Sequence, residues 1–519
     1  MAPLAERQIA RSAGTVMAGF GLSSLLGLAN RMLYTRAFGS GQELDAFLAA
    51  NRVPDILFNL MAGGALASAF LPTFSVLLAQ GDQRRAWQLA SSVGNLLILA
   101  LGLAAGLLGL VAPWLVENIL GRGFHDPQQV QLTVSLLRIQ LVAPVLFGIS
   151  GLLMAILNAQ QHFLLPALAP TFHWLGWILG SLFLVPRLGI SGLAWGVLVG
   201  AVLHLSIQLP GLRRVRPQYT ATFGLQDPSV RQVGRLMAPR LFGVAIVQLN
   251  FLVNVILAAG MAVGSLTGIT LGFAIMLMPQ IVIAQAVAIA ALPTFSSQAA
   301  KGELVEMRRS LSSTLRGVIF LSLPASFGLL LLRVPLVTLL FQRGEFDSNS
   351  TALVAWALLW YSTGLVGHSL VEIVSRAFYA LKDTRTPVTV GAAAMALNVV
   401  LSIGLSRLFL RLGWAPHGGL ALANSIATGL EAIALLWLVS RRLEGIEIAR
   451  IRPGIAASLL ATAAMGVGLM LWLAVTEGRS AWVVALGGVG VGVAAYWLAS
   501  LGLRSPEARQ LPGLILARR

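Results

Sequence analysis

Asp45, Arg52, Asp55 and Asn59 recur at helical spacing inside an otherwise apolar stretch. At 100° per residue they share a stripe of about 80°. A charge at bilayer depth costs at least ~2.5 kcal/mol, so such a stripe is expected to face a cavity or a partner. Just upstream, Ser24 and Arg31 lie seven residues apart on one helix face, with Asn30 and Arg36 nearby. The chemistry these types offer is electrostatic. Guanidinium and amide groups bind an anion, and a carboxylate orients them or acts as a gate. In a competing reading Arg52 and Asp55 neutralise each other at i,i+3, while Arg31 and Arg36 snorkel to an interface.

A second stripe joins His368, Glu372 and Arg376. Their spacing makes Glu372 and Arg376 an intrahelical ion pair, and with His368 it also fits a proton or cation relay for gating or coupling. Arg240, directly after Pro239, is placed either in the same cavity as Arg52 or at the cytoplasmic surface. Gln248, Asn250 and Asn254 suit interhelical hydrogen bonding equally well, and His162 and His173 read as packing or interface residues.

None of these groupings is a catalytic constellation. The chain has no phosphate loop ending Gly-Lys-Ser/Thr, no His-Glu-x-x-His pair and no Gly-x-Ser-x-Gly elbow. Zero cysteines remove disulfides, thiolate catalysis and Cys-ligated metals together. No catalytic residue, metal or cofactor is expected, and energy is expected from membrane potential, a monovalent ion or downhill substrate flow. The basic loops lack interleaved aromatics, which argues against a nucleic-acid partner.

The elements that must hold these residues are membrane helices. Of 519 residues 57% are hydrophobic and only 11% charged, where a soluble chain is about a quarter charged. Leu241 to Ala300 contains no Asp, Glu, Lys or Arg. Hydropathy and loop punctuation predict about fourteen spans, the first two at 12–37 and 44–79 being the least apolar. The net charge of +17 sits in short loops: Arg84-Arg85, Arg213-Arg214-Arg216, Arg308-Arg309, Arg441-Arg442 and a tail ending Arg518-Arg519. With both termini cytoplasmic, inside segments hold roughly 20 basic residues and outside ones roughly 6. Arg7 and Arg11 precede no small-residue cleavage site, so no removable signal peptide is expected.

Self-comparison finds a repeat. Ala69-Phe70-Leu71-Pro72-Thr73-Phe74-Ser75 matches Ala290-Ala291-Leu292-Pro293-Thr294-Phe295-Ser296 at a shift of 221 residues. The same shift pairs Gly81 with Gly302, Arg122-Gly123 with Arg343-Gly344 and Pro166 with Pro387. An offset of six spans is even, so the copies run parallel through the membrane. The expected fold is an all-α polytopic membrane protein. Residues 1–225 and 226–448 form two parallel six-helix lobes, and 449–519 add two C-terminal helices and a basic tail. Glycines at 14, 19, 21 and 27 would let the first helix bend or approach its neighbours closely.

Phe38-Gly39, Asp45-Ala46-Phe47, Pro54, Gly64-Ala65, Ala69-Phe70 and Pro72 form a pattern. With Ile156-Leu157-Asn158, Leu340-Phe341-Gln342-Arg343-Gly344-Glu345-Phe346 and Phe378-Tyr379-Ala380-Leu381-Lys382-Asp383-Thr384-Arg385-Thr386-Pro387, it resembles the MurJ/MviN lipid II flippases. These belong to the multidrug/oligosaccharidyl-lipid/polysaccharide exporter superfamily. The resemblance implies a bacterial inner-membrane protein with two lobes about a cationic cavity. It would carry undecaprenyl-pyrophosphate-linked peptidoglycan precursor across the membrane by alternating access. Partners would be that lipid, membrane lipids and cell-wall synthesis proteins. Arg31, Arg36, Arg52 and Arg240, with Asn30, Ser24 and Asp55, would meet the substrate, and Asp45 would gate it or orient Arg52. The chain departs from the family pattern in carrying Ser24, Asn30, Phe58-Asn59 and Ala274 where arginines are usual, and Gly63 in place of a glutamate. These departures keep two alternatives open: export of another polyprenyl-linked glycan or small amphiphile, and a non-transporting scaffold.

Overall fold

The computed structural model describes residues 21–61, 65–215 and 217–509. Arg7, Arg11, Gly14, Gly19, Gly63, Gly64, Arg216, Arg518 and Arg519 lie outside them. The described residues are helical with no strand. In chain order the helices are α1 (21–38), α2 (Gln42–Met61), α3 (Ala65–Ala79), α4 (Gln83–Leu110), α5 (Pro127–Ala159), α6 (Leu164–Leu188), α7 (Ser191–Arg214) and α8 (Pro228–Ala259). They continue as α9 (Ser265–Ala300), α10 (Leu304–Phe341), α11 (Ser348–Ser362 with Leu365–Ala380), α12 (Arg385–Arg411), α13 (His417–Arg442), α14 (Ile448–Val475) and α15 (Ala481–Gly502).

Eleven described helices are long and apolar enough to cross a bilayer, twelve if α11, bent by 48°, is one span. The expected fourteen also require α1 and the pair α2 and α3, whose polar residues depress their hydropathy. The structure does not by itself raise the number that far. Exposed Leu99, Leu103, Leu107 and Leu110 on α4 make a water-facing surface untenable and a lipid-facing one natural.

Helix starts follow from the sequence. Asp82, Asp126, Asp227 and Asp347 accept hydrogen bonds from the backbone N–H groups of Arg85, Gln128, Ser229 and Ser350. Each thereby satisfies a donor that a helix N-terminus leaves orphaned. Pro127 and Pro228 occupy the first turn, where the missing N–H costs nothing.

By contact the helices separate into two compact units. The first comprises the described residues up to Val263 with Arg343–Glu345; the second comprises Gly264–Gln342 and the described residues from Phe346 onward. Thus α8, which the sequence repeat assigns to the second lobe, packs with the first unit. Within unit 1, Phe70, Phe74 and Trp87 pack with Leu152, Leu153 and Ile156. Within unit 2, Phe295 packs with Met307, Leu311, Ile373, Val374 and Leu435.

The 221-residue offset reappears in the geometry. Ala65–Ala79 corresponds to a helical segment Ala286–Ala300, and helices that begin at Gln83, Pro127 and Leu164 correspond to ones that begin at Leu304, Ser348 and Arg385. The turns agree as well: Gly81 and Gly302 have φ of 77° and 73°, Gln161 and Lys382 have 64° and 60°. Buried Phe74, Leu152 and Leu153 align with buried Phe295, Ile373 and Val374. Identical turn chirality at identical spacing is what a duplicated bundle produces.

Close helix approach in unit 1 is made by glycine. Gly176 and Gly180 on α6 meet Gly196 and Gly200 on α7, with Cα atoms so near that a Cβ has no room. This four-residue spacing of small residues is how membrane helices gain van der Waals contact where lipid supplies no hydrophobic drive. In unit 2, α14 and α15 pack on α10: Phe320 and Leu332 contact Met465, Leu469 and Tyr496. The Tyr496 hydroxyl donates to the Phe320 carbonyl at 2.7 Å.

The turn before α12 accounts for the Lys382-Asp383-Thr384-Arg385-Thr386-Pro387 run by its own hydrogen bonds. Lys382 takes the positive φ, and Asp383 accepts from the Thr386 N–H at 3.0 Å and its hydroxyl at 2.7 Å. Arg442, at the end of α13, donates to Asp383 at 2.9 Å. The Thr386 N–H, then its hydroxyl, with Arg442 adding less, hold this carboxyl below the ordinary carboxylate range. Its folded pKa is therefore below its unfolded one, so the tie is complete at neutral pH and is lost as pH falls through the folded value. Asp383→Asn is expected to cost about 1 kcal/mol at neutral pH and to flatten the acid side of the stability profile. Thermal unfolding in detergent at several pH values measures both; an unchanged acid limb would refute the assignment.

Candidate functional site

The polar stripe of α2 is held against α8. Arg52 Nη2 donates to the Gln248 side-chain oxygen at 2.5 Å and to the Gln248 carbonyl at 3.1 Å. Its guanidinium carbon lies 5.2 Å from the Phe251 ring centroid, within cation–π range. Asp55 takes a different partner: Asn51 Nδ2 donates to Asp55 Oδ2 at 2.9 Å, and Asn59 Nδ2 donates to the Asp55 carbonyl at 2.8 Å. Among the described residues Arg52 and Asp55 form no ion pair. Gln248 and Phe251, 196 and 199 positions away, hold the guanidinium, while Asp55, one turn along the helix, stays its electrostatic neighbour. Arg52 Nε is buried and lacks a hydrogen-bond partner among the described residues.

Asn30 is fully buried on α1, where Ser181 Oγ of α6 donates to its Oδ1 at 3.3 Å. Asn30 Nδ2 is a second buried donor without a partner among the described residues. Arg31 lies over Trp174 at 5.9 Å, and a Cβ on Gly27 would stand 3.1 Å from the same indole, so α1 seats on α6 around Trp174. Ser24, Arg36 and Arg240 are exposed. The Arg36 carbonyl accepts from the Glu345 N–H at 3.0 Å.

Asp45 is 4% exposed in the first turn of α2. It lines a pocket of about 280 Å³ with Gln42, His125, Asp126, Gln129 and Met261. Gln129 Nε2 donates to the Gln42 carbonyl at 3.1 Å and so ties the start of α5 to α2. Asp45 and Arg52 lie two turns apart, about 10 Å along the axis, and the structure does not bring them together. The pocket residues His125, Asp126 and Gln129 were not legible as a group from the sequence. Likewise nothing in the spacing linked Arg52 to Gln248 rather than to Asp55.

In unit 2, Arg376 Nη2 and Glu372 Oε1 are 2.6 Å apart, while His368 Nε2 is 3.0 Å from Asn424 Oδ1 on α13. The stripe is thus an ion pair plus a separate interhelical contact. In unit 1 Ser150 Oγ and His204 Nδ1 lie 2.6 Å apart, a nucleophile–base distance, but the third member is the Gln208 amide, which donates to Ser150. Neutral Gln208 cannot stabilise an imidazolium as a carboxylate does, and all three are buried. Among the described residues no group of three or more His, Cys, Asp or Glu is arranged to hold a metal ion.

Taken together, the described polar groups offer hydrogen-bond donors inside membrane helices, which is chemistry for holding an anionic or hydroxyl-rich group. Known proteins agree in fold and sequence. A solved structure titled lipid II flippase MurJ, inward closed conformation, superposes with a TM-score of 0.80 at 23% identity, covering 93% of this chain and 97% of that one. An inward-facing multidrug resistance MATE family transporter of the MOP superfamily gives 0.66 at 15% identity, covering 81% and 94%. Lipid II flippase MurJ of Burkholderia cenocepacia is 32% identical over 467 residues, 88% of each chain. The sequence profile of the family described as lipid II flippase MurJ matches residues 34–486. With the profile spanning most of its length, the chain, a multi-pass helical membrane protein, belongs to the lipid II flippase MurJ family.

Proposed function

We propose that the protein is a transporter that moves lipid II, the undecaprenyl-pyrophosphate-linked peptidoglycan precursor, across the bacterial cytoplasmic membrane by alternating access. The observation that carries this reading is Arg52: anchored through one nitrogen on Gln248, it keeps a buried Nε donor unspent. An unpaired buried donor costs about 1–3 kcal/mol, which a pyrophosphate oxygen would repay by accepting from it. Arg31, Arg36, Arg240, Asn30, Ser24 and Asp55 are proposed to contact the headgroup in turn, with Asp45 at the gate. Glu372 and Arg376 are proposed to take part in gating or coupling. Membrane potential or a monovalent ion would drive the cycle. Both termini are proposed to be cytoplasmic, a reading the basic loops support, and the exposed Trp114, Trp414 and Trp482 would then lie toward the opposite interface.

The test is expression in cells depleted of their own flippase, with lipid II in the outer leaflet as the readout. Restored outer-leaflet lipid II and growth are expected. A second reading is favoured by Ser24, Asn30, Phe58-Asn59 and Ala274, which stand where the family resemblance places arginines: the cargo is then another polyprenyl-linked glycan or a small amphiphile. Normal membrane insertion without any rescue decides for that reading, or for a scaffold if no export is found.

A further inference from the structure

Glu431 belongs to none of the groups above. It lies near the middle of α13, about 21 Å of helix after His417 and about 16 Å before Arg442, inside an apolar run broken by no other charge. The side chain is partly buried, and no ion pair or hydrogen bond reaches it among the described residues. Its surroundings are shaped for the carboxyl group: Gly391 of α12 faces it, and a Cβ there would stand 3.2 Å from Glu431 Oε1.

The charged groups of the packed helices are committed elsewhere. On α11, Arg376 is bound to Glu372 and His368 to Asn424, while Tyr361 is buried against Phe273. The ionisable residues of α12 are Arg385, Arg407 and Arg411, toward its two ends. Those of α13 itself are His417, on the Leu353 carbonyl, and the terminal Arg441 and Arg442. Residues 265–300 of α9 carry none. On α10, Arg308 bonds Glu444, Arg309 joins Glu306 and Glu447, Arg316 joins Glu507, and Arg333 bonds the Leu330 carbonyl.

We propose that Glu431, seated on Gly391, is a reversible proton-binding site within the membrane. An unpaired carboxylate at bilayer depth is expensive, and the ordinary remedy is to neutralise it. Taking one proton onto a carboxyl oxygen forms a single O–H bond and leaves the group neutral; releasing it restores the anion. A hard metal ion would need several oxygen ligands, and Glu431 is not part of a multi-carboxylate group among the described residues. The site gives a proton gradient a place to act on unit 2, and it stands whatever cargo the protein carries.

Infrared difference spectra of the full chain in lipid nanodiscs, between mildly acidic and mildly alkaline buffer, test this directly. The wild type should show a protonated-carboxyl C=O band that titrates, and Glu431→Gln should lose it while unfolding at the same temperature. Gly391→Ala, which puts a methyl group against the carboxyl oxygen, should move the midpoint to higher pH. Wild-type and Glu431→Gln spectra that coincide overturn the proposal. So does a carboxylate band that responds to sodium replacement but not to pH.

Discussion

Leucine in place of Gly176 is expected to leave almost no folded protein in the membrane, whereas leucine in place of Gly102 should be tolerated. The difference is in what each new side chain meets. A Cβ on Gly176 collides with the backbone of Gly200, its Cα and N atoms, while one on Gly102 of α4 meets nothing within 4 Å. Ordinary overpacking costs about 1–3 kcal/mol because side chains can shift; here two helix backbones must part. Parting them also strips contact from Gly180 and Gly196, one turn away on the same interface. The gain in helix propensity, about 1 kcal/mol for replacing glycine, does not offset the loss of a helix pair. Even Gly176→Ala should weaken the protein, since the offending atom is the first of the side chain. The check is the monodisperse fraction after detergent extraction, with thermal unfolding of whatever survives. A Gly176→Leu protein that elutes and melts like the wild type would show that α6 and α7 do not pack as described.

That interface was not marked in the sequence, where the glycines at 14, 19, 21 and 27 stood out instead. The four-residue spacing of Gly176 and Gly180, and of Gly196 and Gly200, gains meaning only once their helices are seen to pack. The 221-residue offset announced matching turns at Gly81 and Gly302 before any coordinates. These are local signals, and local rules read them. Arg52 shows where such rules stop. Its position in an amphipathic stripe was visible, but its partner was not, because Asp55 is near in sequence and Gln248 is near only in space. His125 and Gln129 reached the Asp45 pocket in the same unannounced way, through the packing of α5 on α2. Glu431 was not singled out from the sequence, and its isolation in an apolar run acquires meaning only once Gly391 is seen opposite it. Substrate identity is subtler still, since it depends on which buried donors remain unspent after the protein has satisfied its own groups.

That consideration sets the strongest functional expectation, which rests on the proposed lipid II substrate. Arg52→Gln should abolish detectable outer-leaflet lipid II in flippase-depleted cells at wild-type protein levels, and Arg52→Lys should rescue poorly. A hydrogen bond to a charged group contributes about 1.5–3 kcal/mol, so losing one charged donor implies roughly a ten- to hundredfold slower flip. Lysine keeps the charge but loses the planar fork that bonds Gln248 with one nitrogen while presenting others to a phosphate. It also forfeits part of the contact with Phe251, which lies 5.2 Å from the guanidinium carbon. Gln248→Ala separates the two roles, because it leaves the charge in place and removes only the acceptor that orients it. It should slow flipping less than Arg52→Gln does. Full rescue by Arg52→Gln would remove Arg52 from the substrate path. Equal failure of all three variants, with normal membrane levels, would instead mark the Arg52–Gln248 contact as structural.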